Sequence, residues 1–155
     1  MAILIDGMPC GICGRAMSAR EELVSFPPFV ANEADPLFPF SDGVFHNDCF
    51  DAHPLSRVTR ARLMEMQSHT DPKSRRCVVC QRLITDPDDF VSVGHLTDDT
   101  PSWLHALNYS CLHRSCIPLW SERTAVVTYL EEQLALGNWR GKAAEWLLRQ
   151  LRQAS

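Results

Sequence analysis

Apolar positions along this chain come in short bursts rather than long stripes. Leu23-Val24-Ser25-Phe26 and Phe90-Val91-Ser92-Val93 are brief runs rich in strand formers, each bounded by polar turn-forming residues. They predict strands over Glu22–Phe26 and Phe90–Val93. Each follows a shorter strand, Arg15–Met17 or Arg82–Ile84, around a turn at Ser18–Glu21 or Thr85-Asp86-Pro87-Asp88. Residues 27–43 carry Pro27, Pro28, Pro36, Pro39 and Gly43, the composition of a long irregular loop, and Phe29, Phe38 and Phe40 are expected to fold back onto a small core. Pro54 then ends one short helix and opens another over Leu55–Gln67, with Leu55, Val58, Leu63 and Met66 as its apolar stripe. Ser121 is expected to cap a further helix that buries Ala125, Val126, Tyr129, Leu130 and Leu134 and stops before Gly137. In the last stretch Trp139, Ala143, Trp146, Leu147 and Leu151 share one helical face, while Arg140, Lys142, Arg149 and Arg152 lie largely elsewhere. This amphipathic helix is expected to close the gap between neighbouring units; the alternative is a partner-binding helix anchored by Trp139 and Trp146.

The bursts recur at a fixed distance. Cys10-Gly11-Ile12-Cys13 and His46-Asn47-Asp48-Cys49 are followed, 67 positions later and without a gap, by Cys77-Val78-Val79-Cys80 and His113-Arg114-Ser115-Cys116. Arg15 falls on Arg82, Glu21-Glu22 on Asp88-Asp89, Leu37 on Leu104, Phe40 on Leu107 and Phe45 on Leu112 in the same register. A chain of 155 residues would ordinarily be read as one domain. The repetition instead predicts a finger unit with its trailing helix over residues 1–69, a linker over 70–76, a second such unit over 77–137, and a C-terminal helix over 138–155. Units this small cannot rely on a hydrophobic core alone.

The recurring residues are metal ligands by type. Three thiolates and one imidazole per copy make a usual tetrahedral zinc complement with no position left for water. Two sulfurs of a Cys-x-x-Cys turn can reach one ion, and residues three apart in a helix share a face, so His46 and Cys49, like His113 and Cys116, are expected in the first turn of short helices. Gly14 follows the first pair but Gln81 the second, so a left-handed turn is easier to foresee in the first copy. A redox pair or two buried thiols would account for a single Cys-x-x-Cys. Four ligands repeated at one offset point to two structural Zn2+ ions per chain, with an iron–sulfur centre as the alternative. The seventh cysteine, Cys111, aligns with Val44 and reads as a small buried hydrophobe. His95 and His105 stand in reserve should either ligand set differ from this reading.

On these residues, over 10–53 and 77–120, the chain resembles treble-clef zinc fingers and is similar to the first zinc half of LIM domains. The resemblance implies an α+β fold in which a knuckle and a hairpin precede a helix that donates the last two ligands. LIM, PHD and RING modules hold two ions per unit, whereas each copy here has ligands for one.

Charge narrows the partners. The formal net charge is −4, and each loaded Cys3His site adds one further negative charge. Residues 1–52 carry −6 and residues 83–113 carry −5, while residues 53–82 carry +5. An acidic protein gains little from phosphate contacts, so a protein partner, basic in character, is expected, met through loops 27–43 and 94–110. Such a chain would serve as an adaptor, or as an inhibitor of the immunity type. The alternative is a nucleic-acid-binding regulator that uses Arg57, Arg60, Arg62, Lys73, Arg75 and Arg76. No catalysis is expected: every good ligand is committed, and the acid pairs Asp88-Asp89 and Asp98-Asp99 lie in turn-like sequence. The absence of a long apolar run and the early Asp6 predict neither a membrane span nor a signal peptide, and a cytoplasmic location.

Overall fold

The structure is a computed structural model that describes residues 5–153. Residues 1–4, where no signal peptide is expected, and residues 154 and 155, the end of the expected last helix, lie outside the described residues. The fold is α+β, built from helices and two small antiparallel sheets. Packing divides the chain into one compact unit formed by Met1–Val30 and Asp35–Met64 and another formed by Ala31–Ala34 and Glu65–Ser155. Among the described residues no helix is long and apolar enough to cross a membrane.

In the first unit, strand β1 (Leu23–Ser25) pairs antiparallel with β2 (Val44–His46), setting Val24 opposite Phe45. Its partner is therefore not Arg15–Met17, as the sequence pattern suggested. Those residues turn back onto the chain before Cys10: Ala16 bridges to Pro9, Cys10 N–H donates to the Arg15 carbonyl at 2.8 Å and Met17 N–H to that of Met8 at 2.8 Å. With their backbone groups already satisfied by the knuckle, they are not available as a ladder. Helix α1 (Asn47–Asp51) follows β2 directly, and α2 (Ser56–Thr70) begins after Pro54. The core is aromatic: Phe26, Phe40, Phe45 and Phe50 are buried with ring centroids 4.6–6.3 Å apart, tilted or edge-on as ring quadrupoles favour. Phe29 and Phe40 fold inward as expected, whereas Phe38 is exposed. Helix α2 presents a different face from the predicted stripe. Val58 is 42% exposed, while Thr59 and Arg62 are buried. The reason is a charge pair: Arg62 reaches the Asp35 carboxylate of the irregular loop at 3.2 Å, so its guanidinium is compensated out of solvent.

In the second unit, β3 (Phe90–Ser92) pairs with β4 (Cys111–His113), with Val91 opposite Leu112. Arg82–Ile84 again forms a knuckle return, through the bridge of Arg76 to Leu83, rather than a hairpin strand. Arg114–Leu119 is a 3₁₀ helix where the first unit has α1; Pro118 lacks the N–H that would continue an α-helical ladder there. Helix α3 (Arg123–Ala135) starts after Glu122, and the Ser121 hydroxyl donates to the Glu122 carboxylate instead of capping the helix. Its end is as predicted. Gly137 takes φ +73°, its N–H bonds the Leu134 carbonyl at 3.1 Å, and Asn138 N–H bonds that of Gln133 at 3.0 Å, the paired closure of a Schellman motif. Val126 and Leu130 are buried, but Ala125 is exposed.

The final helix, α4 (Lys142–Gln153), packs on α3 and on the 114–119 turn. It contributes Ala144, Leu147, Leu148 and Leu151 to the second unit's core. Trp146, expected on that face, is 41% exposed, while Trp139 is buried before the helix begins. The segment around Trp139 is held by residues 31–34, because Asn32 Oδ1 accepts from Arg140 N–H at 2.9 Å and Asn32 Nδ2 donates to the Asn138 carbonyl at 3.0 Å.

The 67-residue register extends to individual hydrogen bonds. Phe26 N–H to Gly43 carbonyl recurs as Val93 to Ser110, Asn47 to Glu22 as Arg114 to Asp89, and Asp42 to Pro27 as Tyr109 to Gly94. Ser41 Oγ accepts from Phe29 and Val30 N–H at 2.9 and 3.1 Å; Asn108 Oδ1 accepts from Leu96 and Thr97 N–H at 2.8 and 3.2 Å. Each side chain also donates back, Ser41 to the Val30 carbonyl and Asn108 to that of Thr97. Position 41 and its counterpart 108 therefore clamp the irregular loop to the base of the second strand in each unit. Replacing Asn108 with Ala leaves two donors and an acceptor beside the core without their partner. The substitution is expected to lower the stability of the metal-loaded protein by about 2 kcal/mol in urea denaturation.

Candidate metal centres

Each ligand set is assembled from two local structures. In the first unit, the knuckle turn Cys10–Arg15 closes through Gly14 N–H to the Cys10 carbonyl at 2.8 Å, with Gly14 at φ +72°. In the second, Gln81 holds the same left-handed geometry at φ +59°, stabilised by its own side-chain amide donating to the Val78 carbonyl at 2.9 Å. The other two ligands come from the strand–helix junction. His46 and His113 are the residues that precede α1 and the 114–119 turn in extended conformation, and Cys49 and Cys116 lie within the first turn after them. The sequence prediction had placed each imidazole inside its helix; it stands one residue before.

The eight residues converge in two groups. Ligand atoms of Cys10, Cys13, His46 and Cys49 lie within 4.8 Å of one another, as do those of Cys77, Cys80, His113 and Cys116. Both imidazoles face the sulfurs through Nδ1, at 3.4 Å from Cys13 Sγ and 3.4 Å from Cys80 Sγ, with Cys49 Sγ 4.0 Å from the first. Zinc–sulfur and zinc–nitrogen bonds at tetrahedral angles require an S···N edge of about 3.6 Å. These separations bracket that length, and all four donors in each group are soft or borderline with no carboxylate among them. The groups fit a divalent ion of the zinc type: three thiolates and an imidazole would hold it, and it would cross-link the knuckle to the segment after the strand.

The electrostatics favour a cation at both places. Burial raises the Cys10 and Cys77 thiols, but N–H donors of the knuckle and of His46 or His113 outweigh it and bring both below the usual thiol range. Cys13 and Cys80 are lowered to about 6, by the backbone N–H of Arg15 and Arg82 and then by their guanidinium groups. The remaining ligands move the other way: the Cys13 sulfur beside Cys49 raises it, and burial with the neighbouring sulfurs pushes Cys116 up to about 11. His46 is raised by the Cys10 sulfur, and His113 is raised by Cys77 and Cys80 despite burial. A cluster that retains protons in this manner is one whose thiolates need positive charge, which a metal dication provides in the protons' place.

Two residues matter here that the sequence pattern had aligned without assigning a role. The Arg15 guanidinium is a positive neighbour of the Cys13 and Cys49 sulfurs, and Arg82, 67 residues later, of Cys80, each favouring the thiolate beside it. The only signal was that the same cation stands two residues past each Cys-x-x-Cys pair. In the first unit, a Glu21 carboxylate oxygen stands 3.5 Å from the outward Nε2 of His46, a charge neighbour that does not make a hydrogen bond to it.

The other singled-out residues are dispersed. Cys111 is buried outside both groups, its thiol pushed up to about 11 by that burial. His95 pairs with Asp98 at 3.2 Å and, like His105, belongs to neither group. Of the basic set, Arg62 is buried against Asp35, Arg75 is buried with its guanidinium 4.0 Å over the Phe90 ring, and Arg60 pairs with Asp51 at 2.7 Å. Arg57, Lys73 and Arg76 are exposed. Trp139 cannot serve as a surface anchor, because the chain reversal after Gly137 carries its ring into the second unit's core.

Comparison with protein-family models, curated proteins and solved structures finds no match to this chain. Its chemistry therefore rests on its own geometry. Elemental analysis of the purified chain is expected to give two zinc ions per molecule in a colourless sample. Cys111→Ala is expected to keep both ions, whereas Cys116→Ala loses one and unfolds the second unit selectively by hydrogen exchange.

Proposed function

We propose that this chain is a non-enzymatic, zinc-stapled interaction module: two treble-clef-type fingers in tandem that present a rigid surface to a protein partner. The observation that carries the reading is the pair of Cys3His groups, each closed with four protein donors and repeated at a 67-residue offset with matching hydrogen bonds around it. A full set of four ligands leaves no open coordination position, so the ions serve folding rather than catalysis. None of the seven cysteines is paired in a disulfide, which suits a reducing compartment.

A protein partner is favoured over nucleic acid by two features. Arg62 and Arg75 are turned inward, which removes two cations from the basic set. The second unit exposes Trp103, Leu119 and Trp146, large apolar side chains of the kind that anchor protein interfaces. The acidic stretches 1–52 and 83–113 favour a basic partner, as an adaptor or an inhibitory binder would meet.

Titration with single- and double-stranded oligonucleotides at several salt concentrations tests this directly. No saturable binding is expected at micromolar protein, and capture from native lysate is expected to return a basic protein whose retention falls at least ~10-fold in Trp146→Ala. Tight oligonucleotide binding that weakens steeply with salt and disappears in Arg57→Glu/Lys73→Glu would replace the proposal with the nucleic-acid reading.

A further inference from the structure

The second unit contains a cleft whose chemistry the metal groups do not use. It has a volume of about 300 Å³ and is lined by Ser68, His69, Arg75, Arg76, Tyr109 and Ser110 among others, with no carboxylate in its wall. That size is at the lower end for a small-molecule site.

Arg75 is the unusual member. It is only 8% exposed, and its ring-stacked guanidinium uses Nε to donate to the Ile84 carbonyl at 3.0 Å. That bond and the Phe90 contact leave both Nη groups without an acceptor among the described residues, and they keep access to solvent. A buried guanidinium is ordinarily matched by a carboxylate or by carbonyls around its whole fork. Here the orientation is fixed on one edge and the other edge is unfilled. Beside it, Arg76 gives one Nη1 bond to the Gln81 carbonyl at 3.1 Å, and the hydroxyl of Ser110, a mostly buried residue, makes no hydrogen bond among the described residues and is open to solvent.

The fold does not itself require this arrangement. In the 67-residue register, Met8 stands where Arg75 is, Pro9 where Arg76 is, Asp42 where Tyr109 is and Gly43 where Ser110 is. The first unit builds the same knuckle and sheet with no cation and with an added carboxylate. Nor is Arg75 needed by the thiolates, which are served by Arg82.

We propose that this cleft binds a small phosphate-bearing anion, with the open edge of the Arg75 fork taking two phosphate oxygens and Arg76 and Ser110 donating to the others. Free phosphate and a phosphate monoester share this chemistry, and the cleft beyond Arg75 has room for a small organic group toward His69.

Calorimetric titration of the zinc-loaded full chain with inorganic phosphate, and separately with a ribonucleoside 5′-monophosphate, tests the inference. One saturable site per chain is expected, with Arg75→Met weakening it at least ~10-fold and Arg57→Met leaving it unchanged. Tighter binding of the monophosphate assigns an organic phosphate, and equal affinity assigns free phosphate. Zinc content and circular dichroism check that Arg75→Met folds; if it does not, Arg76→Gln and Ser110→Ala are expected to weaken binding severalfold in its place. Absence of saturation by about 10 mM at low salt, or unchanged affinity in the folded Arg75→Met protein, overturns the proposal. So does affinity for oligonucleotides that climbs with their length and ignores Arg75, since the cleft would then be no site of its own.

Discussion

Each unit of this protein depends on bringing three sulfurs and an imidazole nitrogen into a space a few ångströms across. Two of the donors come from a knuckle turn and two from the place where a strand becomes a helix. The backbone links between those pieces are slight, since each sheet is two strands of three residues, the first knuckle has one bridge, and the second has one of its own and one from Cys77 to Cys111. Thiolates gathered so closely repel one another until positive charge intervenes. The guanidinium groups of Arg15 and Arg82 supply part of it from outside, and a dication among the four donors would supply the rest.

Around that constraint the two units solve the same local problems with different residues. A left-handed knuckle residue is needed twice; glycine meets the need once, and Gln81 meets it by spending its amide on the turn's own carbonyl. The irregular loop must be tied to the second strand twice, and a serine hydroxyl does in one unit what an asparagine amide does in the other. Backbone geometry is the shared requirement, and any side chain able to satisfy the same donors and acceptors is admissible. The cores differ as well: rings pack the first, while aliphatic residues and α3 with α4 fill the second. The added helices let the second unit bury more apolar surface around an equally small sheet.

The same comparison separates what the fold needs from what it merely permits. A residue equivalent in both copies, such as Arg15 with Arg82, belongs to the common architecture. A charged residue buried in one copy opposite methionine in the other, as Arg75 is opposite Met8, is not explained by that architecture and invites a role of its own.

The ligand groups, the repeat offset, the strands at 23–25 and 90–92 and the helix end at Gly137 were all legible in the chain, because each depends on spacing or on one residue's backbone freedom. What the strands would pair with was not. The Arg15–Met17 backbone is used by the knuckle, and that competition appears only once Cys10 and Cys13 are drawn together. Helix faces differ by about a residue from the sequence pattern in α2 and α4 for a related reason: an ion pair to Asp35, 27 positions away, turns α2, and packing against the preceding helix α3 turns α4, and neither contact is written in the helix's own periodicity. The order of residues thus determined which groups could bind a metal and how far apart the two sets recur. Only the tertiary structure decided which cations stay at the surface, since burial and pairing of a long side chain depend on what distant segments place beside it.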